Sequence, residues 1–366
     1  MDKKSKKLYL IDGQGLIYRA FFALPKLTTT YGQLINAAYG FTLVLMRLLQ
    51  EKKPDGIIVA FDTPKPTFRH EQYAKYKAQR EKMPQELIDQ LPIIKEILSK
   101  LNIPSIEVEG YEADDIIGSI VHQTKNSDYQ SIIVSGDRDL LQLVNDETEI
   151  ILMQKGISKV KEYHFESARE MLGFSPDLIP DYIGLKGDSS DNIPGVPGIG
   201  EKTAKNLLQS LGNLENIIKN NHQIKKTSLR KKIEDYHEQA TLSKQLAVIR
   251  RDMNLDLDFK ALSYSGPDYP KLRELFQKYE FKNLLEKIPE SGNEDKNIEK
   301  NELVLHQVKN GQELASLGRK ILSEGIFSFL FAISQTKKKR NYHKFDAIEF
   351  ALTNDEKKKK NEQNDE

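Results

Sequence analysis

The chain contains no cysteine, which excludes disulfides, zinc–thiolate sites and thiol nucleophiles together. No stretch approaches the roughly 20 apolar residues that cross a bilayer. The N-terminus is basic (Lys3, Lys4, Lys6, Lys7), but Asp12 interrupts the apolar run behind it, which argues against a signal peptide. A cysteine-free chain suits a reducing cytoplasm, and no membrane association is expected. A net charge of one sign is missing too: 55 Lys and Arg stand against 54 Asp and Glu, a formal +1. That balance hides a segregation of charge along the chain. No internal repeat is found.

What is present is enough apolar material for a core, 38% of 366 residues, and length for about two domains. Lys7–Ile11 and residues 56–61, 104–108 and 131–134 read as strands. Residues 33–52, 85–101 and 113–125 place apolar groups at helical spacing. Alternation of the two predicts an α/β domain over 1–165 with a mostly parallel central sheet. Residues 166–288 read as a smaller helical domain, interrupted by the Gly/Pro-rich loop Ile193–Gly200. Residues 289–301 are polar and read as a linker. Residues 302–366 hold three short apolar runs, 303–305, 326–333 and 347–352, and a charged tail from Asn354 expected to be disordered.

Three strand candidates lead into aspartates: Asp12, Asp62, and Asp137 with Asp139. In an open parallel sheet the carboxyl ends of the strands share one edge, where ligands bind. Glu112, Asp114 and Asp115 open a helix, and Asp188 and Asp191 would face the same way if their segment is helical. Any one of these can be a helix cap. Nine in one cleft repel each other unless cations neutralise them. Hard oxygen ligands without His or Cys point to Mg²⁺ or Mn²⁺, and two such ions suit phosphodiester hydrolysis. No EF-hand spacing supports calcium storage.

Residues 64–85 carry six basic and two acidic residues, among them Lys65, Arg69, Lys77 and Arg80. Phe68, Tyr73 and Tyr76 are interleaved, a mixture that suits single-stranded nucleic acid, or simply a solvated basic face. The 195–200 loop resembles a helix-hairpin-helix turn, in which Gly195, Gly198 and Gly200 let backbone N–H groups approach phosphate. Lys202 and Lys205 would assist, and Lys225, Lys226, Arg230, Lys231 and Lys232 follow. A plain interhelical turn is the alternative.

Tyr9–Gly13, Val59–Asp62, Gly110–Asp115, Ser135–Asp139 and Gly187–Asn192 with the 195–200 loop stand in the order seen in bacterial 5′-nucleases. Over residues 7–288 the chain resembles the N-terminal 5′→3′ exonuclease domain of DNA polymerase I and the related flap endonucleases. The resemblance implies a PIN-like nuclease domain joined to a helix-hairpin-helix domain. It implies cleavage of 5′ flaps and of 5′ ends at nicks or junctions, and removal of RNA primers in replication and repair. Metal ligands would be Asp12, Asp62, Glu112, Asp114, Asp115, Asp137, Asp139, Asp188 and Asp191, with Asp115 and Asp137 central to catalysis. Tyr76–Arg80 matches the family's arch within the basic segment 63–86. Lys77 and Arg80 would contact the scissile phosphate, with Arg69 and Tyr76 as further DNA contacts. A K⁺ ion is expected at the helix-hairpin-helix loop. The expected protein is a bacterial cytoplasmic, nucleoid-associated monomer.

Gln14-Gly15 stands where many relatives have Asn-Ser, and Gly15 is expected to loosen the first helix. Residues 302–352 resemble the start of a proofreading domain, but Ile326–Ile333 lacks the required acids, so no 3′→5′ activity is expected. Ending at Glu366, the chain reads as a truncated polymerase or a stand-alone nuclease with a vestigial extension. A non-catalytic DNA-binding module and a PIN-type ribonuclease are the competing readings.

Overall fold

The structure, a computed structural model, describes residues 6–259 and 262–289 and two short strands, Leu305–Gln307 and Glu349–Ala351. Those two strands pair antiparallel in a separate unit, residues 292–366. The expected linker beyond Pro289, the acid-free run 326–333 with its missing 3′→5′ activity, and the charged tail lie outside the described residues.

Six strands form one sheet: β1 (Lys6–Asp12), β2 (Gly56–Phe61), β3 (Ser105–Glu107), β4 (Tyr129–Ser135), β5 (Thr148–Lys155) and β6 (Lys159–Tyr163). Their order is β3-β2-β1-β4-β5-β6. The first five are parallel, and β6 closes one edge antiparallel to β5. β1, β2 and β4 are continuous apolar runs because helices cover both faces. Alternate residues point to opposite sides: Leu8, Leu10, Ile58 and Ile133 to one core, Tyr9, Ile11, Val59 and Val134 to the other. β6, Lys-Val-Lys-Glu-Tyr, escapes a hydrophobicity reading because its charges guard a sheet edge.

Helices Gly13–Ala23, Asn36–Lys52 and Leu91–Lys100 cover the second face, and Ala113–Thr124 covers the first. The single helix expected over 85–101 is two, Gln85–Ile88 and Leu91–Lys100. Pro92 sits in the first turn of the second, where its missing N–H costs nothing. Chain order reverses beside β1: the chain runs outward through β2 and β3, then returns to β4 on the other side. Such a reversal opens a crevice at the carboxyl ends of the two central strands.

The first-face core continues without a break into helices Ile179–Lys186, Glu201–Leu211, Leu214–Lys219 and Thr227–Ala247. Tyr236, at φ −122°, kinks the last of these. Beyond Ala247 the chain returns along the sheet, where Tyr264 N donates to the Asp55 carbonyl at 2.7 Å. Helix Tyr269–Lys278 and Phe281 join the second-face core with Ile94 and Leu98. Among the described residues no helix is long and apolar enough to cross a membrane.

Candidate active site

Asp12 ends β1 and caps the helix that follows. Its Oδ1 accepts from Gly15 N at 2.8 Å, and its Oδ2 accepts from Ser135 Oγ, at the end of β4, at 2.6 Å. A Cβ on residue 15 would lie 2.2 Å from Asp12 Oδ2, so Gly15 admits this cap rather than loosening the helix. Asp62 follows β2 and accepts from Ala113 N at 2.7 Å. Glu112 caps helix 113–124, and Asp114 sits in its first turn. Asp137 and Asp139 follow β4, with Asp139 N donating to Asp137 Oδ1 at 2.9 Å. With Asp191, these carboxylates line one cleft of about 530 Å³.

The Asp188–Asp191 segment is a turn, not the helix on which shared facing depended. Asp188 and Ile193 exchange backbone hydrogen bonds of 2.8 and 2.7 Å, and Asn192 takes a left-handed φ of 58°. Asp188 Oδ1 accepts from Ser190 N and Oγ at 2.7 and 2.8 Å. It still stands near enough to Asp139 to raise that carboxyl's pKa.

Asp115 is a correction. It is fully buried, and both its oxygens are taken. The Arg69 guanidinium donates two bonds to it, at 2.7 and 2.8 Å. Glu112 N and Arg250 N donate to it at 3.1 and 2.9 Å. Neighbouring residues on a helix point about 100° apart. Asp114 therefore faces the cleft while Asp115 faces the seam with the returning 246–250 segment. Arg69 is corrected with it, because its remaining bonds go to the Leu246 and Val248 carbonyls at 2.9 and 2.8 Å and to Glu112 Oε2 at 3.5 Å. Burial disfavours the charged guanidinium, but Asp115 outweighs that and raises its pKa. Neither residue has a hydrogen-bonding group left for DNA or an ion.

Five of the cleft carboxylates, Asp12, Asp62, Asp114, Asp137 and Asp139, are held above their ordinary range. Burial raises Asp12 from 3.8 to about 6, and Asp62 and Asp137 add to it against two hydrogen bonds. Burial followed by repulsion from Asp137 and Asp12 raises Asp114 well above its usual value. Burial, then Asp137 and Asp188, does the same to Asp139. Asp62 and Asp137 are raised, again first by withdrawal from water.

The basic segment folds down on these acids. Lys77 Nζ lies 2.8 Å from Glu112 and 3.7 Å from Asp191, and Arg80 pairs with Asp191. Backbone ties fix it there: Lys77 N donates to the Asp191 carbonyl at 2.9 Å, and Asn192 Nδ2 to the Lys75 carbonyl at 2.7 Å. Burial opposes the charge on Lys77 and Arg80, yet Glu112 and Asp191 outweigh it and raise both pKa values. Tyr76 departs from its expected role as a DNA contact: it is buried, with its hydroxyl 3.1 Å from Glu112. The Phe68 ring is likewise occupied, with the Arg69 and Arg250 guanidinium groups 4.5 and 4.7 Å from its centroid. The aromatics exposed to the cleft are ones the sequence reading missed. Tyr18 and Phe22 stack at 6.3 Å along the first helix, and Phe22 is 69% exposed. Their signal was an aromatic pair four residues apart on the helix that Asp12 caps.

The glycine loop joins helices 179–186 and 201–211. Gly195 (φ 59°) would drive a Cβ to 2.2 Å from Gly187 N, and Gly198 (φ 75°) carries the Lys232 ammonium where a Cβ would sit. Gly200 precedes the first turn of the second helix. Lys202 is exposed, and Lys205 pairs with Glu201 at 2.9 Å.

Residues 7–173 match the 5′-3′ exonuclease N-terminal resolvase-like domain, and 174–270 match the 5′-3′ exonuclease C-terminal SAM fold. DNA polymerase I of Bacillus caldotenax is 44% identical over 290 residues, 79% of this chain and 33% of that protein. The 5′-3′ exonuclease of Aquifex aeolicus is 40% identical over 283 residues, 77% of this chain and 95% of that protein. The chain thus spans about a third of the length of its polymerase relatives. Among solved structures, the bacteriophage T5 flap endonuclease in complex with DNA and metal ions aligns with TM-score 0.55 at 21% identity. That alignment covers 77% of this chain and 96% of that one, a likeness of fold.

Proposed function

Because this chain belongs to the 5′-3′ exonuclease family, we propose that it is a Mg²⁺-dependent, structure-specific 5′-nuclease that hydrolyses DNA at 5′ flaps, nicks and 5′ ends, and RNA primers on DNA. The observation that carries this reading is the cleft in which Asp12, Asp62, Glu112, Asp114, Asp137, Asp139 and Asp191 meet beneath Lys77 and Arg80.

The donor set fits hard divalent cations such as Mg²⁺ or Mn²⁺: it is all carboxylate and crowded, and burial followed by mutual repulsion raises Asp12, Asp114 and Asp139. As placed, no three of these groups among the described residues form a ready ion cage. Lys77 and Arg80 supply part of the neutralisation instead. We assign the seven cleft carboxylates as ligands, direct or through water, with Asp188 supporting Asp139, and Asp115 as the anchor of Arg69. Two bound ions would activate water and offset charge on the scissile phosphate.

The remaining work falls to the chain's own groups. Lys77 and Arg80 move from carboxylate to phosphate and stabilise the charge developing on its oxygens. Tyr18 and Phe22 offer ring faces to bases beside the cleft. The Gly195–Gly200 loop, with Lys202, Lys205 and Lys232, grips duplex backbone, and a K⁺ ion there would add to that grip. The likeness of fold to a flap endonuclease solved with DNA and metal ions supports this reading. The bacterial source of the relatives supports a cytoplasmic setting, and a nucleoid-associated monomer is part of the same proposal.

The test is a labelled 5′-flap duplex, with and without Mg²⁺, beside a 3′ flap and an RNA hairpin. Cleavage near the 5′-flap junction that requires metal is expected. Binding without cleavage would leave a DNA-binding module, and preference for the hairpin would leave a ribonuclease.

A further inference from the structure

Three hollows follow one another at the carboxyl edge of the sheet. The cleft, about 530 Å³, shares Asp62, Lys77, Arg80 and Lys82 with a second hollow of about 380 Å³ beneath the folded-down basic segment. That hollow shares Thr63, Pro64 and Lys65 with a third, of about 470 Å³. Asp62 and Gln14 also connect the third hollow directly to the cleft. The three make a route leading away from the acids, and nothing in the proposed chemistry uses its far end.

The far hollow differs in character from the other two. Four of its five charges pair, Lys65 2.7 Å from Glu109 and Lys95 3.0 Å from Glu107, which leaves the Asp62 carboxylate at the end shared with the cleft. A phosphate would have to break those pairs and approach Asp62, so the hollow does not favour an anion. Its floor is apolar, built from Phe61, Leu91 and Ile94. One uncharged polar group there lacks a partner. Thr63 Oγ1 is buried and makes no hydrogen bond, which is costly for a hydroxyl. Gln14, the residue standing where many relatives of the family have Asn, reaches it from the first helix. An apolar floor, a rim without excess positive charge and one or two hydrogen-bonding groups describe a site for an uncharged heteroaromatic ring.

We infer that this hollow is a nucleobase subsite. It takes a base of the unpaired 5′ strand after that strand has crossed the acids and passed under Lys77 and Arg80. The phosphates travel through the second hollow beside Lys77, Arg80 and Lys82, and one base turns onto the apolar floor of the third. Leu91 supplies the apolar face, while Thr63 and Gln14 supply hydrogen bonds. The subsite rests on the 5′-nuclease reading and deepens it, because it would distinguish a substrate with an unpaired 5′ strand from a simple nick.

The test places 2-aminopurine at successive unpaired positions of a 5′ flap and follows its fluorescence on binding, with Ca²⁺ replacing Mg²⁺ to block cleavage. One position is expected to change sharply and its neighbours little. Thr63→Val, which keeps the side chain's shape, should weaken flap binding about 3-fold. Leu91→Asp should weaken it roughly 5-fold or more. Both should leave binding of flapless nicked duplex unchanged and keep Mg²⁺-dependent cleavage at the nick. Uniform fluorescence along the flap, with cleavage intact, overturns the subsite and leaves the nuclease reading standing. Equal weakening on flapped and flapless DNA also overturns it, by making these residues structural. Should Leu91→Asp fail to fold, Thr63→Val and the fluorescence scan of the unaltered protein still decide. Absence of any metal-dependent cleavage overturns both readings.

Discussion

Asp114 and Asp115 are adjacent residues of one kind on one helix, and the fold treats them in opposite ways. Asp115 is sealed in a knot with Arg69, both oxygens bonded and its charge matched. Asp114 is withdrawn from water among a crowd of acids, and burial followed by their repulsion pushes its pKa well up. A buried ion pair with every hydrogen bond made is a rigid fastening. A cluster of unmatched carboxylates is a standing cost to the fold, and the natural remedy is a cation from outside. The contrast separates carboxylates that hold the molecule together from those that wait for a ligand.

The largest expected effect attacks the sealed side. Asp115→Asn removes half of a buried pair and should cost about 3–5 kcal/mol of folding stability in denaturant titrations. A stable variant that binds DNA but fails to cleave would instead place Asp115 among the metal ligands. On the open side, Asp137→Asn should leave the melting temperature unchanged or higher. It should cut cleavage roughly 10³-fold, the several kcal/mol that a metal site supplies. Full activity would remove the cleft from the mechanism. Arg80→Ala should lower kcat about 10²-fold while Kd for flapped DNA changes little. An equal loss in both would make Arg80 a tether.

Smaller effects concern the unmatched acids themselves. A carboxyl whose pKa is raised by folding stabilises the native state below its unfolded pKa. That contribution is lost as pH rises through the folded value. For Asp12 the window runs from 3.8 to about 6. Asp114 shifts in the same direction. Metal-free protein should therefore melt higher near pH 5 than near pH 7, and Asp114→Asn should flatten that decline. A steeper decline in the variant would mean that Asp114 is matched after all. The last effect is the slightest: Mg²⁺ should compete with Lys77 and Arg80 for Glu112 and Asp191. Hydrogen exchange over residues 73–82 should quicken as metal is added, and unchanged exchange would show that ions and cations occupy the cleft together.

Much of this contrast was invisible along the chain. Lys7–Ile11, 56–61 and 131–134 announced buried parallel strands, and the aspartates behind them announced one acidic edge. The helix from residue 113 was legible too, but not which of its first acids faced inward. That depends on what packs against it, and the packing partner, residues 246–250, lies far away in sequence. Likewise the aromatics of the basic segment looked available for stacking. Tyr76 and Phe68 are consumed by Glu112, Arg69 and Arg250, which only proximity in space could reveal.

The amino-acid sequence alone determined the class of fold, the order of its motifs and the kind of chemistry. Those follow from local hydrophobic period and from residue type, which are properties of neighbours in the chain. Tertiary structure decided which carboxylates remain unmatched, which cations already neutralise them, and where hollows lead out of the cleft. Those depend on distances between segments far apart in sequence, and electrostatic and hydrogen-bonding energies are set by distance and burial rather than by order along the chain.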